Sequence, residues 1–134
     1  MTTEGDDQRG GDGRALSRDG ALSYFHIPAV DVRRSAAFYG AVVGWTIHNG
    51  DTDRPGFVDG SGQVGGAWVT NQTAAPEPGL LAYIYVDHID DAVDRVTANG
   101  GEIVEPPYPE GNLWVATFRD PAGNVMGLWH QGDR

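Results

Sequence analysis

The chain has 134 residues, enough for one domain or for two small units that share a core, and too few for two independent domains. Its formal net charge of −10 disfavours binding to nucleic acid or to anionic membranes, whose negative charge its field repels. The absence of cysteine and lysine excludes disulfides, thiolate nucleophiles and Schiff-base chemistry on a side-chain amine.

Residues 1–20 are rich in Gly, Asp and Arg and contain few apolar side chains, so they cannot bury enough surface to offset the entropy of ordering. We interpret them as a flexible tail. They lack the apolar segment of a signal peptide, and no apolar run in the chain reaches the ~18–20 residues of a membrane span. A cytoplasmic protein with a single domain over residues 21–131 is therefore expected.

A first module is predicted over residues 21–70. It begins with an alternating, aromatic strand over residues 22–28. Asp31 is the predicted N-cap of a helix that Gly44 ends. Apolar residues recur along this helix at spacings of four, three and four, which is one helical stripe: Val32, Ala36, Tyr39 and Val43. Three short strands complete the module, over residues 45–48, 57–58 and 63–69.

Residues 71–79 contain two prolines and are predicted to link this module to a second one, over residues 80–131. Its predicted elements are a strand over 80–86, a helix over 87–99, a short strand over 102–105, a proline-rich turn over 106–109, and a hairpin of strands over 113–119 and 124–129. The segment Asp120-Pro121-Ala122-Gly123 has the residues of the hairpin turn.

The two modules repeat one pattern. Val30-Asp31, Ala36 and Gly44 recur 56 residues later as Val86-Asp87, Ala92 and Gly100, and residues 64–68 are echoed 61 residues on by residues 125–129. One unit of strand, helix and three strands is therefore built twice. The predicted fold class is α+β, with two βαβββ modules pairing curved sheets around a central cavity.

The residues that mark these units resemble the vicinal oxygen chelate superfamily, the group of glyoxalase I, bleomycin-resistance proteins and extradiol dioxygenases. They are Phe25 to Asp31, Ser35, Phe38-Tyr39, Gly44-Trp45, Val86-Asp87, Gly100-Gly101 and Asp120 to Asn124. The chain is most similar to the small, stand-alone glyoxalase/bleomycin resistance proteins of bacteria. The resemblance implies that the two modules enclose a ligand cavity, commonly in a homodimer.

The resemblance also implies where a metal would bind. Metal-dependent members take His, Glu or Gln from the first and last strands of each module. The matching residues here are Tyr24, Gly66, Leu81 (or Leu80, one register away) and Gly127. Such side chains cannot hold a divalent, oxygen-chelating ion. We therefore expect no metal and no cofactor.

His26 is the one histidine with a candidate role. It lies two residues after Tyr24, so both side chains are predicted on one strand face, looking into the cavity. A lone histidine lacks the partners of a metal site, so metal ligation is disfavoured, and three other roles stay open: a hydrogen bond to a ligand, acid–base catalysis with Tyr24, or a purely structural contact. Of the other histidines, His48 and His88 are interpreted as solvated, and His130 as facing outward.

An aromatic lining is predicted for the cavity. By alternation with Gly66 and Gly127, Trp68 and Trp129 are expected to face inward. The full set of predicted ligand-binding residues is Tyr24, His26, Gly66, Trp68, Tyr83, Tyr85, Trp114, Gly127 and Trp129. Such a lining suits an aromatic or polyketide-like ligand. The alternative is that these side chains fill a solid core.

Two functions follow. The first is a metal-independent protein that binds or sequesters an aromatic natural product or drug, as in antibiotic resistance. The second is a metal-independent isomerase, cyclase or lyase, with His26 as acid or base and Tyr24 or Tyr83 as hydroxyl partner. A metal-dependent glyoxalase or dioxygenase is a distant third. The expected partners are a hydrophobic small molecule and a second copy of the chain. Whether the modules pair within one chain or between two stays open.

Overall fold

The structure, a computed structural model, describes residues 19–134. The predicted tail, residues 1–20, lies outside this part except for its last two residues. Within the described part, no helix has both the length and the apolar character needed to cross a bilayer.

The described chain contains two copies of one βαβββ unit, as the sequence predicts. Module one comprises β1 (Tyr24–Pro28), α1 (Val32–Val43), β2 (Thr46–His48), β3 (Gly56–Val58) and β4 (Gly65–Val69). Module two comprises β5 (Tyr83–Tyr85), α2 (Ile89–Ala98), β6 (Glu102–Glu110), β7 (Leu113–Arg119) and β8 (Val125–Gln131).

Each module forms one four-stranded mixed sheet, and the strand order is the same in both. The orders are β1-β4-β3-β2 and β5-β8-β7-β6. The first strand runs parallel to the last one in each module, whereas the other pairs are antiparallel. A parallel pair requires a long connection, which the helix and two strands supply here. As a result, β1 and β5 are both edge strands.

Helix α1 begins and ends where the sequence predicts. Asp31 is extended, with φ −124°, and its carboxylate accepts a hydrogen bond from the Arg34 N–H at 3.2 Å. Gly44 adopts a left-handed conformation with φ 74°, and its N–H bonds to the Gly40 carbonyl. A side chain at this position would be strained, so a glycine is the natural helix stop.

The N-terminus of helix α2 is capped by a side chain from strand β8. His88 occupies the N-cap position but makes no side-chain bond there. Instead, His130 of β8, which is 2% exposed, accepts the Ile89 N–H through Nδ1 at 2.9 Å. Its Nε2 lies 3.0 Å from the Asp133 carbonyl oxygen, so the proton sits on Nε2 and is donated there. The expectation that His130 faces outward is therefore wrong.

The two modules share one hydrophobic core, which lies between the helices and one face of each sheet. From module one, Trp68 packs against Phe57 and against Tyr39 of α1, with ring centroids 5.0 and 5.8 Å away. From module two, Phe118 packs against Phe38 of α1 at 5.8 Å. Helix α1 therefore contacts both sheets.

A buried polar network, the Asp120 clamp, also joins the modules; it consists of Asp120, Tyr39 and Asn124. Asp120 Oδ2 accepts the Tyr39 hydroxyl and Asn124 Nδ2, both at 2.8 Å. Its Oδ1 accepts the backbone N–H groups of Ala122 and Asn124, both at 2.9 Å. Asn124 Nδ2 also donates to the Pro28 carbonyl at 2.7 Å. Burial raises the pKa of Tyr39, and the Asp120 carboxylate raises it further.

Strand β6 departs most from the sequence prediction. It continues through residues 106–109, where the sequence predicts a turn. Its pairing with β7 shifts twice, between Ile103 and Glu105 and between Glu105 and Tyr108. Such bulges insert a residue and redirect the side chains that follow. Because β6 is at the edge of its sheet, its prolines remove no hydrogen bond that an outer neighbour needs.

Candidate functional site

Each sheet has two distinct faces. The core face packs against the helices, and the opposite one is termed the open face. Pairing registers assign eight residues of module one to its open face: Tyr24, His26, Thr46, His48, Gly56, Val58, Gly65 and Ala67. In module two they assign Tyr83, Tyr85, Glu105, Tyr108, Glu110, Leu113, Val115, Thr117, Gly127 and Trp129. The open faces are the candidate site.

The open face of module one forms a trough of about 1540 Å³. Its floor is low because Gly56, Gly65 and Ala67 lie between the larger side chains of β1 and β2. Charged residues, including Arg33 and Arg54, lie at its edge. All of its lining residues precede module two in the chain. The trough is therefore open on the side that a second sheet would cover.

Tyr24 of β1 lines this trough, and His26 lies beside it on the same strand face. The prediction that they share one face is confirmed, since their ring centroids are 5.7 Å apart in an edge-to-face arrangement. Tyr24 is 51% exposed, and His26 is also exposed. An imidazole in this position can meet a ligand that enters the trough.

The open face of module two is aromatic. Tyr83 and Tyr85 of β5 are 48% and 50% exposed, and the Tyr85 ring packs edge-on against Trp129 at 4.9 Å. Gly127 is opposite Tyr83, and a side chain there would collide with the Tyr83 ring. The glycine therefore allows the tyrosine ring to lie over β8. The structure brings these four sequence-predicted residues together.

Strand β6 adds three residues that the sequence analysis missed, namely Glu105, Tyr108 and Glu110. They are opposite Thr117, Val115 and Leu113 of β7, all on the open face. Desolvation raises the pKa of Tyr108, and the nearby Tyr83, Glu110 and Glu105 raise it further. Simple alternation does not signal Glu105, because the first bulge interrupts the period of two, and the predicted turn over residues 106–109 hid the other two.

Trp68 and Gly66 are among the residues that border the trough, but their positions face the core, so the expectation that the Trp68 ring faces inward to the open site is wrong. Trp68 is 3% exposed and packs in the shared core. A side chain at Gly66 would collide with the Phe57 ring, which lies on the core face. The open-face position opposite Tyr24 belongs to Gly65. Gly65 of β4 therefore corresponds to Gly127 of β8 in the structure, whereas the sequence match of residues 64–68 with 125–129 pairs Gly66 with Gly127.

Trp114 is also wrongly predicted as a lining residue. It is opposite His130, whose side chain is in the core, and it packs against the core cluster. The Arg134 guanidinium lies 4.8 Å from the Trp114 ring centroid. Trp114 therefore belongs to the core face.

The positions that the resemblance assigns to metal ligands do not fit a metal. The open-face partner of Tyr24 is Gly65, and that of Tyr83 is Gly127. Leu81 precedes β5 in the chain. Across residues 19–134, no three His, Cys, Asp or Glu side chains are grouped so that they could hold an ion.

A second cavity, of about 680 Å³, lies between the first strands of the two modules. Its lining includes Phe25, Trp45, Ile84 and Met126, all of which pack against the shared core. This cavity is distinct from the trough, and its lining also includes Tyr83 and Tyr85, two of the predicted ligand-binding residues.

Residues 21–128 match the family model described as the Glyoxalase/Bleomycin resistance protein/Dioxygenase superfamily. The putative glyoxylase CFP32 of Mycobacterium tuberculosis is 31% identical over 130 residues, covering 87% of this chain and 48% of that protein. The anthracycline biosynthesis protein DnrV of Streptomyces peucetius is 30% identical over 131 residues, covering 84% of this chain and 48% of that protein. The chain thus spans about half the length of the curated relatives it matches.

Among solved structures, the fold is similar to TnmS3, an antibiotic binding protein from Streptomyces sp. CB03234. The TM-score is 0.62 at 21% sequence identity, and the match covers 84% of this chain and 97% of that one. At this level of identity the likeness concerns the fold.

Proposed function

The chain belongs to the Glyoxalase/Bleomycin resistance protein/Dioxygenase superfamily, and from this premise we propose that it binds an aromatic or polyketide-like small molecule on its open faces, without a bound metal. One observation carries the proposal: an uncovered sheet face presents Tyr83 and Tyr85, each about half exposed, beside Trp129. Exposed aromatic surface of this kind marks a place where a ligand or partner binds.

Names of related proteins support a natural-product ligand. DnrV is named for anthracycline biosynthesis, and TnmS3 is described as an antibiotic binding protein. Anthracyclines are flat aromatic polyketides, which suit a site built from tyrosine and tryptophan rings. Sequestration of such a compound would give antibiotic resistance without catalysis.

We further propose that the working form is a homodimer. The trough is lined by residues 24–71 alone, and Tyr83 and Tyr85 on the aromatic face of module two are each about half exposed. The edge strands β1 and β5 border these two faces. A second copy that pairs its β5 with β1 would place the aromatic face over the trough and enclose one shared site. Sedimentation velocity is expected to give twice the mass of one chain; a monomer at tens of micromolar would refute this arrangement.

The binding proposal is tested with daunomycinone, the neutral aglycone of an anthracycline. Fluorescence titration is expected to show saturable binding by the wild type. The Tyr83→Ala, Tyr85→Ala double variant should bind about tenfold more weakly, since each lost ring contact is worth ~0.5–1.5 kcal/mol. Leu80→Ala removes a residue that is 82% exposed and outside the open face, so it is the matched control. Equal affinity in all three proteins would contradict the proposed site.

The contact between Tyr24 and His26 favours a second candidate, a metal-independent enzyme with His26 as acid or base. Mass spectrometry of daunomycinone recovered from the wild type distinguishes the two functions. Conversion that is lost in His26→Ala while binding persists would support catalysis, whereas unchanged compound supports binding alone.

A further inference from the structure

The two bulges of β6 decide which side chains reach the open face of module two. Ile103 is opposite Phe118 and points into the core, so in a regular strand Glu105 would point there too. The first bulge instead places Glu105 opposite Thr117, on the open face. The second bulge keeps Tyr108, three residues later, on that same face. An edge strand with three prolines thus delivers both acidic and phenolic groups to one surface.

These groups complete two rows across the sheet. The first row is Glu105, Thr117, Gly127 and Tyr83, and the second is Tyr108, Val115, Trp129 and Tyr85. Adjacent strands are ~4.8 Å apart, so each row spans about 14 Å from β6 to β5. That width accommodates three fused aromatic rings with a substituent at one end. Aromatic rings of the ligand would lie toward β5 and β8, with the substituent at β6.

The β6 end of the two rows carries negative charge. Glu105 and Glu110 lie on the open face on either side of Tyr108 along β6, opposite Thr117 and Leu113, and both carboxylates raise the pKa of Tyr108. Neither takes part in an ion pair within the described chain. The nearby cation, Arg119, is 3.8 Å from Glu102 at the start of β6. The carboxylates are therefore available to a bound cation.

A ligand whose substituent is neutral or anionic would bind poorly at the β6 end of the rows. Covering two carboxylates without supplying a partner costs desolvation energy, and an anion is repelled as well. A protonated amine gains from both carboxylates and from the face of the Tyr108 ring, which attracts cations. We therefore propose that the ligand bound on the open face of module two is a flat aromatic compound carrying a protonated amine, and that Glu105, Glu110 and Tyr108 select it. The proposal rests on the proposed function.

Three probes with one ring system test the charge preference: 9-(aminomethyl)anthracene, which is cationic, 9-anthracenemethanol, which is neutral, and 9-anthracenecarboxylate, which is anionic. Anthracene fluorescence reports binding to the intact chain at pH 7 and low salt. The amine is expected to bind about five to ten times more tightly than the alcohol, the range for a partly exposed charge contact. The carboxylate should bind more weakly than the alcohol.

The Glu105→Gln, Glu110→Gln variant removes the charges and keeps the shape of both side chains. It should lower the preference for the amine over the alcohol to less than twofold and leave affinity for the alcohol unchanged. Glu77→Gln, Asp94→Asn removes the same net charge from exposed positions elsewhere and should retain the preference. A preference that survives in the first variant, or is lost equally in the control, overturns the assignment to Glu105 and Glu110.

The outcomes also separate this proposal from the proposed function. If all three probes bind with equal affinity, the aromatic site stands and the amine selectivity is refuted. If none of them binds at millimolar concentration, the aromatic site itself is refuted and the selectivity falls with it.

Discussion

The Asp120 clamp should contribute measurably to stability, and Tyr39→Phe is its most direct test. The substitution removes the hydroxyl that donates to Asp120 at 2.8 Å and retains a ring that stacks on Trp45 at 4.8 Å. Because no cavity forms, the loss equals that of one hydrogen bond to a buried charged acceptor, about 2 kcal/mol. Urea unfolding monitored by tryptophan fluorescence is expected to show this decrease with an unchanged slope.

The pH dependence gives the same prediction a second readout. The pKa of Tyr39 is raised in the folded state above its ordinary value of about 10, so folding favours the protonated hydroxyl. Its stabilisation is complete below pH ~10 and is lost as the pH rises further, toward the higher folded-state pKa. The free energy of unfolding should therefore fall more steeply above pH ~10 in the wild type than in Tyr39→Phe.

Tyr85→Phe is the matched control, because it removes the hydroxyl of a residue that is half exposed on the open face. Its effect should be within about 0.5 kcal/mol, as for most surface substitutions. Two results would contradict the role of the Asp120 clamp. One is a stability loss in Tyr39→Phe as small as that in Tyr85→Phe, and the other is an alkaline pH dependence that is the same in both variants and in the wild type.

Replacing a glycine with alanine should have different effects in β4 and in β8, because Gly66 is on the core face and Gly127 is on the open face. Gly66→Ala forces the core ring of Phe57 to move and should cost about 1–3 kcal/mol in urea unfolding, whereas Gly127→Ala displaces the half-exposed Tyr83 ring and should mainly weaken daunomycinone binding. Equal stability losses would contradict the face assignment. His130→Phe leaves the first N–H of α2 unpaired and should cost about 2 kcal/mol, while His130→Asn, which can place an acceptor near Nδ1, should cost less. Hydrogen exchange at that amide is the measurement; equal exchange in the two variants would exclude the capping role.

Local signals in the sequence were sufficient to predict the helices and the repeat. An N-cap such as Asp31 and a left-handed stop such as Gly44 act within one turn of chain, so their meaning does not depend on the rest of the fold. The repeat of these signals in module two then predicted the βαβββ architecture, which the structure confirms.

The faces of the strands could be predicted only in part. Alternation relates residues of one strand to one another, but the position of the helices decides which face is buried. In β4, Gly65 and Gly66 carry no side chain to mark the pattern, and the pairing with Tyr24 selects Gly65 for the open face. Trp68 therefore enters the core against α1, although its alternation with Gly66 was predicted correctly.

The acidic end of the aromatic face could not be predicted, because it depends on irregular pairing. Prolines at 106, 107 and 109 indicate a turn when they are read alone. At a sheet edge they are compatible with a strand, and β6 runs through them to Glu110. The first bulge then inverts the face that simple alternation from Ile103 assigns to Glu105, and the second restores the original alternation before Tyr108.

Because of the same bulges, residues can be inserted into β6 or deleted from it without changing the core. Strands β7 and β8 have neighbours on both sides, so an inserted or deleted residue there would disrupt two ladders. Strand β6 pairs on one side only, and it already accommodates two extra residues. Deleting one residue between Glu105 and Tyr108 would change which side chains face a ligand while leaving the core residues of β7 in place. In this scaffold, ligand preference can therefore diverge through insertions and deletions at one sheet edge, a route that comparison of aligned substitutions alone would overlook.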